Sequence, residues 1–99
     1  MEVTFRTSKL EACFRSWGLG QRAWGADVAR RYVERINILQ SARGLGDLHA
    51  IPSLRLHPLT GRRQGQLAMT LTGRWRLIVT VGSAATVVRV EEVSKHYDD

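Results

Sequence analysis

Ser53-Leu54-Arg55-Leu56-His57-Pro58, then Gln66-Leu67-Ala68-Met69-Thr70-Leu71-Thr72, then Arg74-Trp75-Arg76-Leu77-Ile78-Val79-Thr80-Val81 is the stretch that decides the fold. Apolar side chains recur there at every second position, the period of a strand with one buried face. Leu54 and Leu56 alternate with Arg55 and His57, which puts Arg55 and His57 on one face; Pro58 ends this strand because it has no ladder N–H. Residues 61–65 read as a turn. Leu67, Met69 and Leu71 then oppose Gln66, Ala68, Thr70 and Thr72, and Gly73 marks a hairpin turn. Trp75, Leu77, Val79 and Val81 alternate with Arg74, Arg76, Ile78 and Thr80, before residues 82–85 turn the chain into a last strand near residues 86–93.

Upstream the period is different. A short strand at residues 3–6 precedes Ser8-Lys9-Leu10-Glu11, a capping box in which the Ser hydroxyl and the Glu carboxylate satisfy each other's backbone donors. Leu10, Cys13, Phe14 and Trp17 follow at i, i+3, i+4 and i+7, one apolar helical stripe that Gly18 is placed to end. Cys13 belongs to that core stripe. After a Gly-broken connection, Asp27 caps a second helix reaching to about residue 40. Val28, Ala29, Tyr32, Val33, Ile36 and Leu39 point inward, and Arg30, Arg31, Glu34 and Arg35 point outward as a solvated, partly paired face. Gly44-Leu45-Gly46-Asp47 closes the helical half. A strand, two helices and a meander of about four strands make an α+β architecture whose helices cover one face of a largely antiparallel sheet.

Charge is distributed unevenly over these elements. From Leu48 to Val90 there is no Asp or Glu, yet Arg55, Arg62, Arg63, Arg74, Arg76 and Arg89 lie there with His49 and His57. Thirteen of the fifteen cations are Arg, the side chain that grips phosphate as a planar fork. Such a surface calls for a polyanion. Residues 91–99 reverse the sign, with four carboxylates against one Lys, and this acidic end either folds back on the basic face or is solvated. A length of 99 residues without low-complexity sequence suits one domain spanning the chain. The lone Cys13 permits no internal disulfide, and no segment has the roughly 20 apolar residues of a membrane span. A soluble cytoplasmic protein is expected.

Metal-free cleavage of RNA needs a base for the ribose 2′-hydroxyl, an acid for the leaving oxygen, and cations for the charge developing on phosphate. His57, His96 and Tyr97 are the candidates for proton transfer; Arg76, Arg62, Arg63 and Lys95 are candidates for the phosphate. The bland alternatives are a structural histidine at a strand end before Pro, a Trp75 that packs in the core, and a frayed chain end at Tyr97. His49, His57, His96 and Cys13 show no metal-ligand spacing, so no metal or other cofactor is expected. Thr60-Gly61-Arg62-Arg63-Gln64-Gly65 lacks the Lys-Ser/Thr ending of a nucleotide-binding loop and precedes a strand, and no Ser sits in a strand-to-helix elbow.

Leu54-Arg55-Leu56-His57-Pro58-Leu59-Thr60-Gly61, then Arg63, then Gly73-Arg74-Trp75-Arg76-Leu77 resembles the HigB toxins of the RelE/ParE superfamily, the plasmid-maintenance killer proteins of bacterial toxin–antitoxin modules. The resemblance extends over most of the chain, including the helical half and the strand order. It implies the RelE-like microbial ribonuclease fold, ordered β-α-α-β-β-β(-β). It also implies a type II toxin that enters the A site of the small ribosomal subunit and cuts translated mRNA without a metal. A cognate HigA-like helix-turn-helix antitoxin would hold it inactive in a hetero-oligomer. His57 matches the family's proton-transfer histidine, Arg76 its phosphate-stabilising sheet arginine, and Arg63 a basic loop residue on RNA. Arg55, Arg62, Arg74 and Lys95 complete the expected RNA-binding set. The chain departs from the pattern at Lys95-His96-Tyr97-Asp98-Asp99, where an acidic residue, Tyr and His are usual, and at Arg62, where an Asp is frequent. Either His96 or Tyr97 can then face the cleavage site. Two other readings stay open: a ParE-like toxin that poisons gyrase by protein contact, and a nucleic-acid-binding module without catalysis.

Overall fold

A computed structural model describes residues 1–95 of the chain. It begins with strand β1 (Glu2–Phe5) and helix α1 (Ser8–Arg15). The cap lies one residue ahead of the expected Ser8: the Thr7 hydroxyl accepts the Leu10 N–H at 3.1 Å, while Ser8 is already helical. Ser16 then interrupts the helix with extended backbone, and its hydroxyl accepts the Leu19 N–H at 3.4 Å to start α2 (Trp17–Trp24). Gly18 therefore lies inside a helix instead of ending one, and Trp17 leaves the apolar stripe to stand 48% exposed. Gly20 explains why a glycine-rich segment is helical here. A Cβ at that position would come within 3.0 Å of the Cys13 carbonyl and 3.4 Å of the Ala29 side chain, so α2 can lie against its neighbours only without one.

Helix α3 (Ala26–Ser41) starts after Gly25, whose φ of 85° turns the chain without a side-chain cap. Asp27 sits in the first turn, favourable to the helix dipole, and pairs with Arg30. Val28, Ala29, Tyr32, Ile36 and Leu39 are buried as the stripe predicts, and the Tyr32 hydroxyl donates to the Leu10 carbonyl at 2.6 Å. Arg35 departs from the expectation that it faces solvent. It is buried, and its Nε donates to the Thr70 carbonyl at 3.0 Å, tying α3 to the end of a strand. Residues of the expected Gly44-Leu45-Gly46-Asp47 turn wind into a short helix, α4 (Leu45–His49).

The predicted strand at residues 53–57 is also different. Pro52–Leu54 form a 3₁₀ turn, Arg55 adopts a left-handed conformation with φ of 50°, and only His57–Pro58 pair as strand β2. Pro58 lies within the strand, which is possible because β2 is the edge of the sheet. After a 3₁₀ turn at Gly61–Arg63 come β3 (Leu67–Thr70), β4 (Arg76–Val81) and β5 (Val87–Ser94). The sheet order is β1-β5-β4-β3-β2; β1 runs parallel to β5 and all other pairs are antiparallel. Leu77, Val79, Val88, Val90 and Met69 bury one face under the helices with Leu10, Tyr32, Ile36 and Leu39. Of the core positions anticipated in the motif, Leu54 and Leu77 are fully buried, and Leu56 and Trp75 pack against this core half-buried. No helix among the described residues is long and apolar enough to cross a membrane.

The register of β4 against β5 slips between Ile78 and Val79: Ile78 faces Glu92 and Val79 faces Val90, so Glu91 is the extra residue of a bulge. Its buried carboxylate accepts from the Thr80 hydroxyl at 2.7 Å and from Arg89 at 2.7 and 3.2 Å, and Arg6 donates to its carbonyl at 2.8 Å. Burial pushes the Glu91 carboxyl up, but the bonds from Arg89 and Thr80 and the charges of Arg89 and Arg6 outweigh it and hold the carboxyl below its ordinary value. A lowered native value stabilises the fold above the unfolded value of about 4.3 and is lost as pH falls through the native one. Glu91→Gln is therefore expected to lower the thermal midpoint at neutral pH, with the gap to wild type closing as pH falls through the lowered native value. A gap that persists in acid would show the residue acting by packing alone.

Candidate functional site

Residues directly opposite in neighbouring strands project to the same face, so the ladder registers place the candidate side chains. His57, Ala68, Ile78 and Glu92 form one row across β2, β3, β4 and β5. Thr70, Arg76 and Ser94 form the next. Both rows lie on the sheet face away from the helices. His57 and Arg76 are thus on the same face but not on adjoining strands; β3 lies between, and their Cα atoms are roughly 12 Å apart from strand spacings.

His57 is half-buried, and its Nδ1 lies 2.7 Å from the Arg55 carbonyl oxygen. A carbonyl can only accept, so Nδ1 carries the proton and the lone pair of the neutral ring is on Nε2. The left-handed turn at Arg55 aims that carbonyl back at the ring, and Arg55 itself is exposed at the rim instead of sharing a strand face with His57. Arg76 is half-buried at the start of β4. Its Nη1 donates to the Gly73 carbonyl at 2.8 Å and the Trp75 carbonyl at 3.0 Å, so the hairpin turn braces the guanidinium. Arg74 lies exposed in that same turn, and Lys95 follows β5 with its ammonium 5.6 Å from the Trp75 ring. Trp75 thus supports a cation at the rim as well as packing inward.

The loop from Leu59 to Gln66 folds over the same face. Leu59 covers Ala68 and Ile78 in a second small apolar cluster, which explains why these two residues on the outward side of the alternation are buried. Arg63 is carried over the face with it, its Nη1 2.8 Å from Glu92 and 2.9 Å from the Gln66 side-chain oxygen. Arg62 is exposed beside it. The stretch that lacks acids in sequence does not lack them in space: Glu92 neutralises Arg63, and Glu91 neutralises Arg89. Sequence reasoning assigned these two carboxylates to an acidic tail, although they belong to β5. Arg55, Arg62 and Arg74 remain exposed with no ion pair among the described residues. His96 and Tyr97 lie outside the described residues. Among those described, no three His, Cys, Asp or Glu side chains gather as a metal site would require.

No model of a known protein family matches the chain, and no curated protein matches it in sequence. Solved structures do match. A YoeB/ParE toxin from Agrobacterium tumefaciens superposes with a TM-score of 0.59 at 19% identity, over 98% of this chain and 100% of that one. YafQ from Escherichia coli strain BL21(DE3) gives 0.66 at 14% identity, over 96% and 92%. The heterotetrameric YoeB–YefM toxin–antitoxin complex from Staphylococcus aureus gives 0.60 at 12%, over 98% of each chain. The chain has the YoeB/RelE toxin fold. Helices on one face of a five-stranded mixed sheet satisfy the architecture expected from sequence, with two more helices than anticipated. On this toxin fold the helix-free face is the one that carries His57, Arg76 and Arg63.

Proposed function

We propose that this chain is the toxin of a type II toxin–antitoxin module, a HigB-like endonuclease that cuts mRNA on the ribosome without a metal and so stops translation. The observation that carries the proposal is His57 with its tautomer set by the Arg55 carbonyl, on the same open sheet face as the braced guanidinium of Arg76. Neutral His57 takes the proton of the ribose 2′-hydroxyl through Nε2. The 2′-oxygen then attacks phosphorus, and the bond from phosphorus to the 5′-oxygen breaks. An acid protonates that oxygen, leaving a 2′,3′-cyclic phosphate on one fragment and a 5′-hydroxyl on the other. His96 and Tyr97 are our candidates for the acid. Arg76 offsets the charge that builds on the phosphate oxygens, with Arg63 reaching it from the loop. Arg55, Arg62, Arg74 and Lys95 hold the flanking RNA backbone around this face.

The partners we propose are the ribosomal A site with its mRNA and a HigA-like helix-turn-helix antitoxin, in the cytoplasm. The toxin–antitoxin complex formed by the structurally similar YoeB–YefM pair supports the antitoxin. A gyrase-directed toxin needs no histidine with a fixed tautomer, and a passive nucleic-acid binder needs no braced arginine on the same sheet face. Regulated expression followed by mapping of cellular mRNA ends tests the reading. Growth arrest should coincide with new 5′-hydroxyl ends inside translated frames. Arrest with intact mRNA and inhibited supercoiling would replace this reading with the gyrase one.

A further inference from the structure

The Thr70 hydroxyl stands out among the polar atoms of the open face. Its Oγ1 is buried and has no hydrogen-bond partner. A buried hydroxyl without a partner is costly, and native sheets rarely keep one without a use. Thr70 faces Arg76 directly across the ladder, so their Cβ atoms lie within about 5.5 Å on the same face. The other side of Thr70 is fixed, because its carbonyl accepts from the buried Arg35 of α3 at 3.0 Å. The strand end is thus clamped from the helix layer while the hydroxyl is left beside the arginine of the site.

We propose that Thr70 is a positioning residue for Arg76: when substrate is bound, its hydroxyl accepts the Nε–H of Arg76. The Gly73 and Trp75 carbonyls already hold Nη1. A second anchor at Nε, on the edge opposite Nη1, restrains rotation of the guanidinium plane and so fixes the direction in which its charge meets the phosphate. Thr suits the task because its branched Cβ stiffens the side chain in the strand while the hydroxyl accepts. Val has the same shape and cannot accept; Ser accepts and lacks the methyl. The role rests on the proposed ribonuclease reading and adds a residue to it.

The test is single-turnover mRNA cleavage on programmed ribosomes by wild type, Thr70→Val, Thr70→Ser and Arg76→Lys, with thermal melts of each. Thr70→Val should cut about tenfold more slowly, with half-saturation changed less than twofold, since one aligning bond is lost only where charge develops. Its melting temperature should equal or exceed that of wild type, because an unpaired buried hydroxyl has been removed. Thr70→Ser should recover most of the rate. In the Arg76→Lys background, which has no Nε–H fork, Thr70→Val should change the rate by less than about twofold. Wild-type rates in Thr70→Val, or a loss of rate that only follows a loss of melting temperature, would overturn the positioning role. An equal loss in the Arg76→Lys background would do the same. A wild-type protein that cuts no mRNA would instead overturn the functional reading itself, and this role with it.

Discussion

His57→Ala is expected to lower the rate of mRNA cleavage by about 10²- to 10⁴-fold, the usual contribution of a positioned proton-transfer group. The Nδ1 of the half-buried ring bonds a backbone carbonyl of its own turn, and a thermal melt of the variant beside wild type separates lost chemistry from lost fold. Arg76→Ala is expected to cost a comparable factor, about 10²- to 10³-fold, by removing charge that acts on the transition state more than on the bound substrate. Both losses should fall on the catalytic rate with affinity for the ribosome nearly unchanged, because the exposed Arg55, Arg62 and Arg74 remain to hold RNA. Measured first-order rates at saturating protein, set beside ribosome co-sedimentation, separate the two quantities. Variants that bind as wild type does and also cut as fast would remove His57 and Arg76 from the chemistry.

The second large effect is on stability. Leu77 is fully buried in the central strand β4, opposite Met69 on β3 and Val93 on β5, under the face that α3 covers. Leu77→Ala should cost about 2 to 5 kcal/mol, the lost transfer energy plus the cavity left behind. A small domain has about 5 to 15 kcal/mol in total, so much of its stability would go. Chemical denaturation should show a lower midpoint with an unchanged slope. The same substitution moves the rows that carry His57 and Arg76, because β4 links them; activity should therefore fall at temperatures where the variant is partly unfolded. A midpoint within experimental error of wild type would show that the core is not organised around β4 in this way.

The strand register was legible in the sequence where alternation was strict. Leu67 and Met69 against Trp75, Leu77 and Val79 gave the β3–β4 hairpin and the inward face directly. The alternation failed at Leu54 to His57, because a left-handed turn at Arg55 and a 3₁₀ turn before it reproduce a two-residue period without being a strand. It was also incomplete at Ala68 and Ile78, which point outward but are covered by Leu59 from a loop whose path no periodicity encodes. Gly18 and Gly20 read as helix breakers, whereas Gly20 is where α2 meets both α1 and α3. Arg35 at a helix position that looks solvent-facing could not be seen to be buried, since its partner is a backbone carbonyl 35 residues away. His57, Arg63 and Arg76 are legible from residue type and motif. What the sequence did not reveal was their supports: the Arg55 carbonyl, the Gly73–Trp75 turn, Glu92 across the sheet, and the orphaned Thr70 hydroxyl. These depend on pairings between distant strands, and the bulge at Glu91 shifts one of them by a residue.

Ribosome-dependent cleavage by this chain is measured by mixing purified protein with ribosomes stalled on a defined mRNA and with the same mRNA free in solution, then reading the fragment ends. Cleavage is expected only of the ribosome-bound message, leaving a 5′-hydroxyl on one fragment and a cyclic phosphate on the other, and almost none of it with His57→Ala. Intact message on the ribosome, or cleavage that His57→Ala and Arg76→Ala carry out as fast as wild type, would contradict it.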